Sequence, residues 1–133
     1  MTGYGAAVFR NHADMLRASA IAEDVAAERG YVSADTKRRL DSAGFKHYQQ
    51  RTPGLLIPVH DTSGAVALWQ YRPDRPRVNG KGKPVKYETP GGSRMVMDVP
   101  PRIRGQLPDP KVPLWVTEGI RKADAAVSAG CAA

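Results

Sequence analysis

The first third of the chain has apolar residues at helical spacing. Over residues 12–29 they recur every three or four positions, which is the period of an amphipathic helix. Ser19 is expected to cap a break within this helix, and Gly30 is expected to end it. Residues 1–11 lack this period and contain two glycines, so we expect a poorly ordered lead-in there.

A second, shorter helix is predicted over residues 34–43. Ser33 is a residue type that favours an N-cap, and Gly44 is expected to stop the helix. The two helices would make up a helical region over residues 12–50. One interpretation of this region is a helix-turn-helix that reads duplex DNA with Lys37, Arg38 and Arg39.

After residue 50 the pattern changes to that of strands. Residues 55–59 form an apolar run, residues 61–64 (Asp-Thr-Ser-Gly) are typical of a turn, and residues 65–71 alternate between two faces. These features predict a β-hairpin. Pro58 has no backbone N–H and is expected at an edge or a bulge, whereas Asp61 is expected to serve the turn.

The next segment is strongly basic. Residues 72–104 contain nine Lys or Arg against three Asp or Glu, so they carry six of the seven net positive charges. Such cations beside aromatic rings can bind phosphates and stack unpaired bases. Short strands are predicted over residues 85–89 and 95–99, followed by a proline-rich linker over residues 100–113. The residues expected to bind nucleic acid are Arg72, Arg75, Arg77, Lys81, Lys83, Lys86 and Tyr87.

The end of the chain predicts a strand that turns into a helix. Residues 114–117 are apolar and β-prone, Gly119 follows, and residues 122–125 favour a helix. Glu118 is therefore expected where a buried strand meets a helix. A carboxylate at such a place can bind a divalent cation or act as a general acid or base, although Lys122 lies at the spacing of an i,i+4 ion pair.

Composition narrows the class of protein. The 133 residues suit one domain or the front of a longer chain. No apolar run approaches the roughly 20 residues that span a bilayer, so we expect a cytoplasmic protein without membrane contact. The lone Cys131 excludes an intramolecular disulfide and a cysteine-rich zinc site. The patterns predict an α+β fold with a helical N-terminal region, a basic middle rich in β-hairpin, and a C-terminal strand and helix.

Four short motifs, in this order, resemble the core of bacterial replicative primases and, more closely, primase-like proteins of phages, plasmids and integrated elements. They are residues 56–64 (Leu-Ile-Pro-Val-His-Asp-Thr-Ser-Gly), Arg72 at the end of the next strand, residues 86–90 (Lys-Tyr-Glu-Thr-Pro) and residues 116–119 (Val-Thr-Glu-Gly). In that family the last element opens a Toprim fold.

The resemblance implies a basic primase-like segment over residues 51–112 and the start of a Toprim-like domain over residues 113–133. It also implies that Glu118 is the catalytic glutamate and a magnesium ligand. A Toprim domain needs a later Asp-x-Asp strand, which the chain lacks, so we expect a truncated domain with an incomplete magnesium site. Primase-type nucleotidyl transfer is expected only if the missing segment is supplied, and no zinc is expected because the family's cysteine-rich N-terminal ribbon is absent.

The expected function is binding of single-stranded DNA, or of an RNA–DNA hybrid, by the front portion of a mobile-element or prophage primase-like replication protein. A helicase or another replication protein is the expected protein partner. Two alternatives remain open. One is a standalone prophage-type protein that acts through protein–protein contacts, and the other is the helix-turn-helix regulator described above.

Overall fold

The computed structural model describes Tyr4, Gly5 and residues 7–133. Helices and a three-stranded antiparallel sheet make up this part of the chain, which confirms the predicted α+β class. Its α-helices are α1 (Arg10–Ala18), α2 (Glu23–Arg29), α3 (Lys37–Ser42) and α4 (Ile120–Ser128). Its strands are β1 (Val32–Ala34), β2 (Gly54–His60) and β3 (Val66–Pro73), and short 3₁₀ helices span His47–Gln49 and Pro101–Gln106.

The predicted β-hairpin is the centre of the sheet, whose strand order is β1-β2-β3. Its turn is held by Asp61, whose Oδ1 accepts hydrogen bonds from the backbone N–H groups of Ser63 (2.9 Å) and Ala65 (3.1 Å). A further hydrogen bond from the Ser63 hydroxyl is the main reason that the pKa of the Asp61 carboxyl lies below its ordinary value. Asp61 thus serves the turn, as predicted.

Pro58 lies in the central strand, at a place where it interrupts no ladder. Strand β1 pairs with β2 only through residues 54–56, so β1 does not reach Pro58. On the side of the strand that faces β1, the Pro58 carbonyl accepts a hydrogen bond from Arg29. In an antiparallel pair the backbone N and O of one residue point to the same side, so the Pro58 nitrogen faces this side as well. The missing N–H therefore faces a side with no strand, next to a register irregularity between Val59 and His60.

The predicted break and end of the first helix are confirmed. Ser19 is the C-cap residue of α1, and α2 begins at Glu23. Gly30 caps α2 in the left-handed conformation, with φ of 93°, which glycine adopts without the penalty of a Cβ.

The prediction for the second helix was wrong at its start. Ser33 lies in β1, where it pairs with Leu55, and it is Thr36 that caps α3 by accepting a hydrogen bond from the Arg39 backbone (3.3 Å). Sheet pairing has overridden the local capping preference of Ser33. A strand therefore separates α2 from α3, and the two helices are not joined by the short turn of a helix-turn-helix.

Both faces of the sheet are covered. One face, with Leu55, Ile57 and Val59, packs against α1, α2, α4 and the 3₁₀ helix at Pro101–Gln106. The other face forms a smaller cluster of Ala34, Leu40, Phe45, Leu56 and Tyr71. The lead-in predicted over residues 1–11 lies partly outside the described residues. Of the described part, Tyr4 and Val8 are buried in the larger core and α1 already begins at Arg10.

The strands predicted after the hairpin are reduced to isolated contacts. Residues 85–89 contact β3 through a single antiparallel bridge between Glu88 and Tyr71, and residues 95–99 belong to no helix or strand. Residues 114–117 have one parallel bridge, from Leu114 to Ala132. The expected buried strand is wrong here, because Trp115 is 60% and Val116 85% exposed. The predicted helix after Gly119 is present as α4.

Candidate nucleic-acid interface

The basic residues predicted to bind nucleic acid lie on a folded hairpin that extends from the end of β3, called the basic hairpin below (residues 72–88). Its tip is tied by Asn79, whose backbone N–H donates to the Lys83 carbonyl (2.8 Å). The Asn79 side-chain oxygen accepts from the backbone N–H groups of Lys81 (2.8 Å) and Lys83 (3.0 Å). The two lysine side chains are thereby carried at the exposed tip.

All three acidic residues of the basic segment are held by inward contacts. Asp74 accepts from His12 (2.7 Å), Glu88 from Arg77 (3.0 Å) and Asp98 from the buried Arg29. Their charges therefore do little to neutralise the outward-facing cations. Within the described part of the chain, no hydrogen bond or ion pair is made by the side chains of Arg75, Lys81, Lys83, Lys86, Arg94 and Arg104.

Arg77 differs from its neighbours because it already has partners. It pairs with Glu88, whose side chain is buried, and its guanidinium carbon lies 5.1 Å from the centroid of the Tyr48 ring. Gln49 donates a second hydrogen bond to the same Glu88 oxygen (3.3 Å). Arg77 therefore holds the base of the hairpin in place and has fewer donors available for a phosphate than the lysines have.

Arg72 and Arg121 both contact Tyr87, and these three residues are called the arginine cluster below. The Arg72 guanidinium carbon lies 6.0 Å from the Tyr87 ring centroid. Arg121 donates a hydrogen bond of 2.8 Å to the Tyr87 hydroxyl and another to the hydroxyl of Ser19 at the end of α1. The Nε atoms of both arginines are buried without an acceptor among the described residues.

The arginine cluster has the chemistry of an anion site. The two Nε–H groups are closed to solvent, so a phosphate would contact the outer N–H groups of the guanidiniums. Guanidinium groups bind phosphate oxygens through strong, geometrically matched hydrogen bonds. Tyr87 is 38% exposed, so part of its ring is accessible to a base that stacks on it. A cation and an aromatic surface are thus presented together.

Sequence reasoning identified Arg72 and Tyr87 but missed Arg121. Arg121 is separated from Tyr87 by 34 residues along the chain, and it lies in the first turn of α4. Nothing in its local pattern distinguishes it from a basic residue on a solvated helix face. Only the tertiary structure shows its role, because α4 packs against α2 and Arg121 thereby reaches Tyr87 and Ser19.

An apolar groove of about 530 Å³ opens beside the arginine cluster. The segments at residues 95–99 and 114–119 line it, together with Val59 and Leu68 of the sheet. These segments, called its walls, expose large apolar side chains, among which Met95 is 78% and Trp115 60% accessible. The sequence-based prediction of a short strand over residues 95–99 and a buried strand over residues 114–117 did not anticipate this groove.

Glu118 lines the groove and precedes Gly119, the N-cap residue of α4. Its carboxylate is exposed and forms an ion pair with Lys122, and this pairing lowers the pKa of Glu118 below its ordinary value. In the part of the chain that the structure describes, no three His, Cys, Asp or Glu side chains are grouped to hold a metal ion. Magnesium takes further oxygen ligands, and the magnesium role of Glu118 stays a prediction.

A buried ionic network supports the groove from below. The Arg29 guanidinium donates to Asp124 of α4 (2.9 Å) and to Asp98 of the groove wall (2.8 Å). Burial alone lowers the pKa of Arg29, but the hydrogen bonds that Arg29 donates to these two carboxylates, together with their charges, outweigh it and raise that pKa. The Tyr31 hydroxyl also donates to Asp124 (2.6 Å). This network fixes the position of α4, and with it that of Arg121.

A second polar network joins α1 to the sheet. The buried His12 ring bonds to the Ser33 hydroxyl of β1 (2.6 Å) and to Asp74 after β3 (2.7 Å). The Ser33 oxygen also accepts from the Phe9 backbone (2.7 Å). His12 therefore anchors α1 beside the end of β3, where the basic hairpin begins.

No helix in the described part of the chain is both long and apolar enough to cross a membrane. Comparisons of the chain with protein-family profiles, with curated proteins and with solved structures found no match. The resemblance to primase-like proteins therefore stays a prediction from the four motifs.

Proposed function

We propose that this chain binds single-stranded nucleic acid through the basic hairpin and the arginine cluster, as the front portion of a primase-like replication protein of a mobile element or prophage. The observation that carries this proposal is the arginine cluster itself. Arg72 and Arg121, which come from distant parts of the chain, meet at the exposed ring of Tyr87 with N–H groups that have no acceptor.

The two parts of this surface would contribute differently. The lysines of the basic hairpin are exposed and without partners, so they attract any polyanion and contribute affinity that falls with salt. The arginine cluster holds its guanidinium groups in fixed positions against Tyr87 and Ser19. It would therefore fix where one phosphate lies and present the ring to a neighbouring base.

The proposal is tested by fluorescence anisotropy of a labelled oligothymidylate and a duplex of equal length, at two salt concentrations. We expect the single strand to bind more tightly than the duplex. Arg72→Ala and Arg121→Ala should each weaken single-strand binding about tenfold or more, because each removes a hydrogen bond between charged groups.

Arg102→Ala provides a matched control. Arg102 belongs to the same basic segment, but it already pairs with Asp24 (2.8 Å) and Glu28 (2.7 Å). Its removal should leave single-strand binding nearly unchanged. The proposal fails if the wild-type chain binds no single strand at low salt, or if Arg72→Ala and Arg121→Ala have no larger effect than Arg102→Ala.

The same assay separates the alternatives. A regulator that reads duplex DNA would bind the duplex more tightly than the single strand. Its duplex binding would be lost when Lys37, Arg38 and Arg39 are replaced together. These three side chains are exposed on α3, which follows a strand. A protein that acts only through protein–protein contacts, for instance with a helicase, would show no dependence on either set of residues.

Catalysis is a separate part of the proposal. Glu118 would act in primase-type nucleotidyl transfer with magnesium only together with further acidic ligands, which are not grouped around it in the described part of the chain. The binding function of the basic hairpin and arginine cluster does not depend on Glu118.

A further inference from the structure

The apolar groove and the arginine cluster are continuous on one face of the sheet. Alternate residues of a strand share a face, so Gln70, which lines the groove, lies on the same face as Arg72. On the neighbouring segment, Thr89 lines the groove two residues after Tyr87. On α4, the lining residue Ile120 directly precedes Arg121. Each member of the arginine cluster therefore lies within two residues of one that lines the groove, and Tyr87 contacts both arginines.

The groove has the size and composition of a ligand site. Its volume of about 530 Å³ falls within the roughly 300–1,000 Å³ of small-molecule pockets. Exposed apolar side chains lie along both walls, as Met95, Met97, Leu114, Trp115 and Val116. A contiguous exposed apolar surface of this kind marks a binding site more often than a solvated face.

The charged side chains that line the groove are both acidic, and both are already paired, Asp98 with Arg29 and Glu118 with Lys122. The cations of the arginine cluster lie beside the groove and not in its lining, so the phosphates of a ligand would lie outside the groove. The Gln70 and Thr89 side chains make no hydrogen bond within the described part of the chain. The lining thus combines apolar walls with a few polar groups that can bond the edge of a base.

We propose that this groove takes unstacked bases of a single strand whose phosphates lie on Arg72 and Arg121. This inference rests on the proposed function and assigns base binding to the groove, with Trp115 and the methionines as the surfaces on which bases stack. Paired bases in a duplex cannot enter it. The groove, and not the basic hairpin, is therefore the source of the preference for single strands.

Tryptophan emission reports directly on the groove. The chain has two tryptophans, and Trp69 packs against the smaller core on the opposite face of the sheet. In a Trp69→Phe variant, Trp115 is the sole tryptophan. We expect oligothymidylate to quench its emission, whereas an abasic strand of the same length and charge binds with little quenching.

Substitution of Trp115 gives a second test. Trp115→Ala should weaken oligothymidylate binding about 5- to 100-fold, the range that stacking of one base contributes, and should leave binding of the abasic strand unchanged. Trp115→Phe retains an aromatic surface and should restore most of the affinity. Val66→Ala, which removes apolar area from an exposed residue outside the groove, is the control.

The outcomes distinguish the groove from the rest of the proposed interface. If Arg72→Ala and Arg121→Ala weaken single-strand binding while Trp115→Ala does not, the proposed function stands and the groove assignment is wrong. Equal quenching of Trp115 by abasic and thymidylate strands would also overturn the assignment. If the wild-type chain binds no single strand, both the function and the groove assignment fail.

Discussion

Arg29 and Asp124 form a buried ion pair that joins the end of α2 to the middle of α4, with 2.9 Å between Nη2 and Oδ1. The side chains are 0% and 1% exposed, and Asp98 and Tyr31 complete the hydrogen bonding of the pair. The pair holds α4 against the rest of the core. It therefore determines whether Arg121 can reach Tyr87.

Removal of one partner of this pair should be strongly destabilising. Asp124→Ala leaves the Arg29 charge buried with fewer partners, so we expect the free energy of unfolding to fall by about 3–5 kcal/mol, measured by urea denaturation. The triple substitution Arg29→Met, Asp98→Asn and Asp124→Leu should cost less than Asp124→Ala, because Asp98 is the third charge of the network and no unpaired buried charge then remains. Asp35→Ala, at an exposed carboxylate, is the control. Equal stability of Asp124→Ala and wild type would contradict the role of the pair.

Tyr31 should make stability sensitive to alkaline pH. Burial, with the neighbouring Asp124 charge, raises the pKa of the Tyr31 hydroxyl above its ordinary value. The unfolded state therefore releases this proton first, at a pH of about 10, so stability should fall as pH rises above that value by up to about 1.4 kcal/mol per pH unit. Tyr31→Phe should flatten this dependence in urea titrations at pH 9 to 11. An unchanged slope would show that Tyr31 ionises in the folded protein as it does in the unfolded chain.

Gly54 should tolerate no side chain. A Cβ at this position would overlap the ring and hydroxyl of Tyr71, which is buried and donates to the Arg51 carbonyl. We expect Gly54→Ala to lower the unfolding free energy by about 1–3 kcal/mol. A Cβ at Gly80 would have no atom within 4 Å, so Gly80→Ala should leave the unfolding free energy nearly unchanged. Both variants are measured by thermal or urea denaturation. A neutral Gly54→Ala would mean that Tyr71 can move without cost.

The lysines of the basic hairpin should set the salt dependence of binding. Three exposed cations are removed by the triple variant Lys81→Ala, Lys83→Ala and Lys86→Ala. For single strands, each phosphate contact contributes about 0.7 to the slope of log affinity against log salt concentration. The triple variant should therefore reduce this slope by about two, for every single-stranded sequence alike. The measurement is anisotropy over a salt series. An unchanged slope would show that the lysines do not contact phosphates.

Glu118 should be dispensable for stability. Its carboxylate is exposed, and its ion pair with Lys122 lies on the helix surface, where such pairs contribute little. We expect Glu118→Gln to leave the urea midpoint unchanged while Asp124→Asn lowers it. Single-strand binding should not weaken either, since a negative charge is removed from the lining of the groove. A marked loss of stability would reveal a structural role that the exposed pair does not predict.

The sequence alone determined the local features of this chain. The apolar run, the Asp-Thr-Ser-Gly turn and the alternation after it predicted the β2-β3 hairpin, because these signals act between neighbouring residues. The same holds for the break at Ser19 and the cap at Gly30. The concentration of charge over residues 72–104 likewise located the basic hairpin without a structure.

Only the tertiary structure decided which distant residues meet. Ser33 lies in a strand and not at a helix cap, because it pairs with Leu55. The segment at residues 114–117 is exposed because one bridge to Ala132 does not bury it, although its composition is that of a buried strand. Arg121 joins Tyr87, and Asp124 joins Arg29, through packing between segments far apart in sequence. Such contacts depend on the arrangement of whole elements, which no local period or propensity encodes.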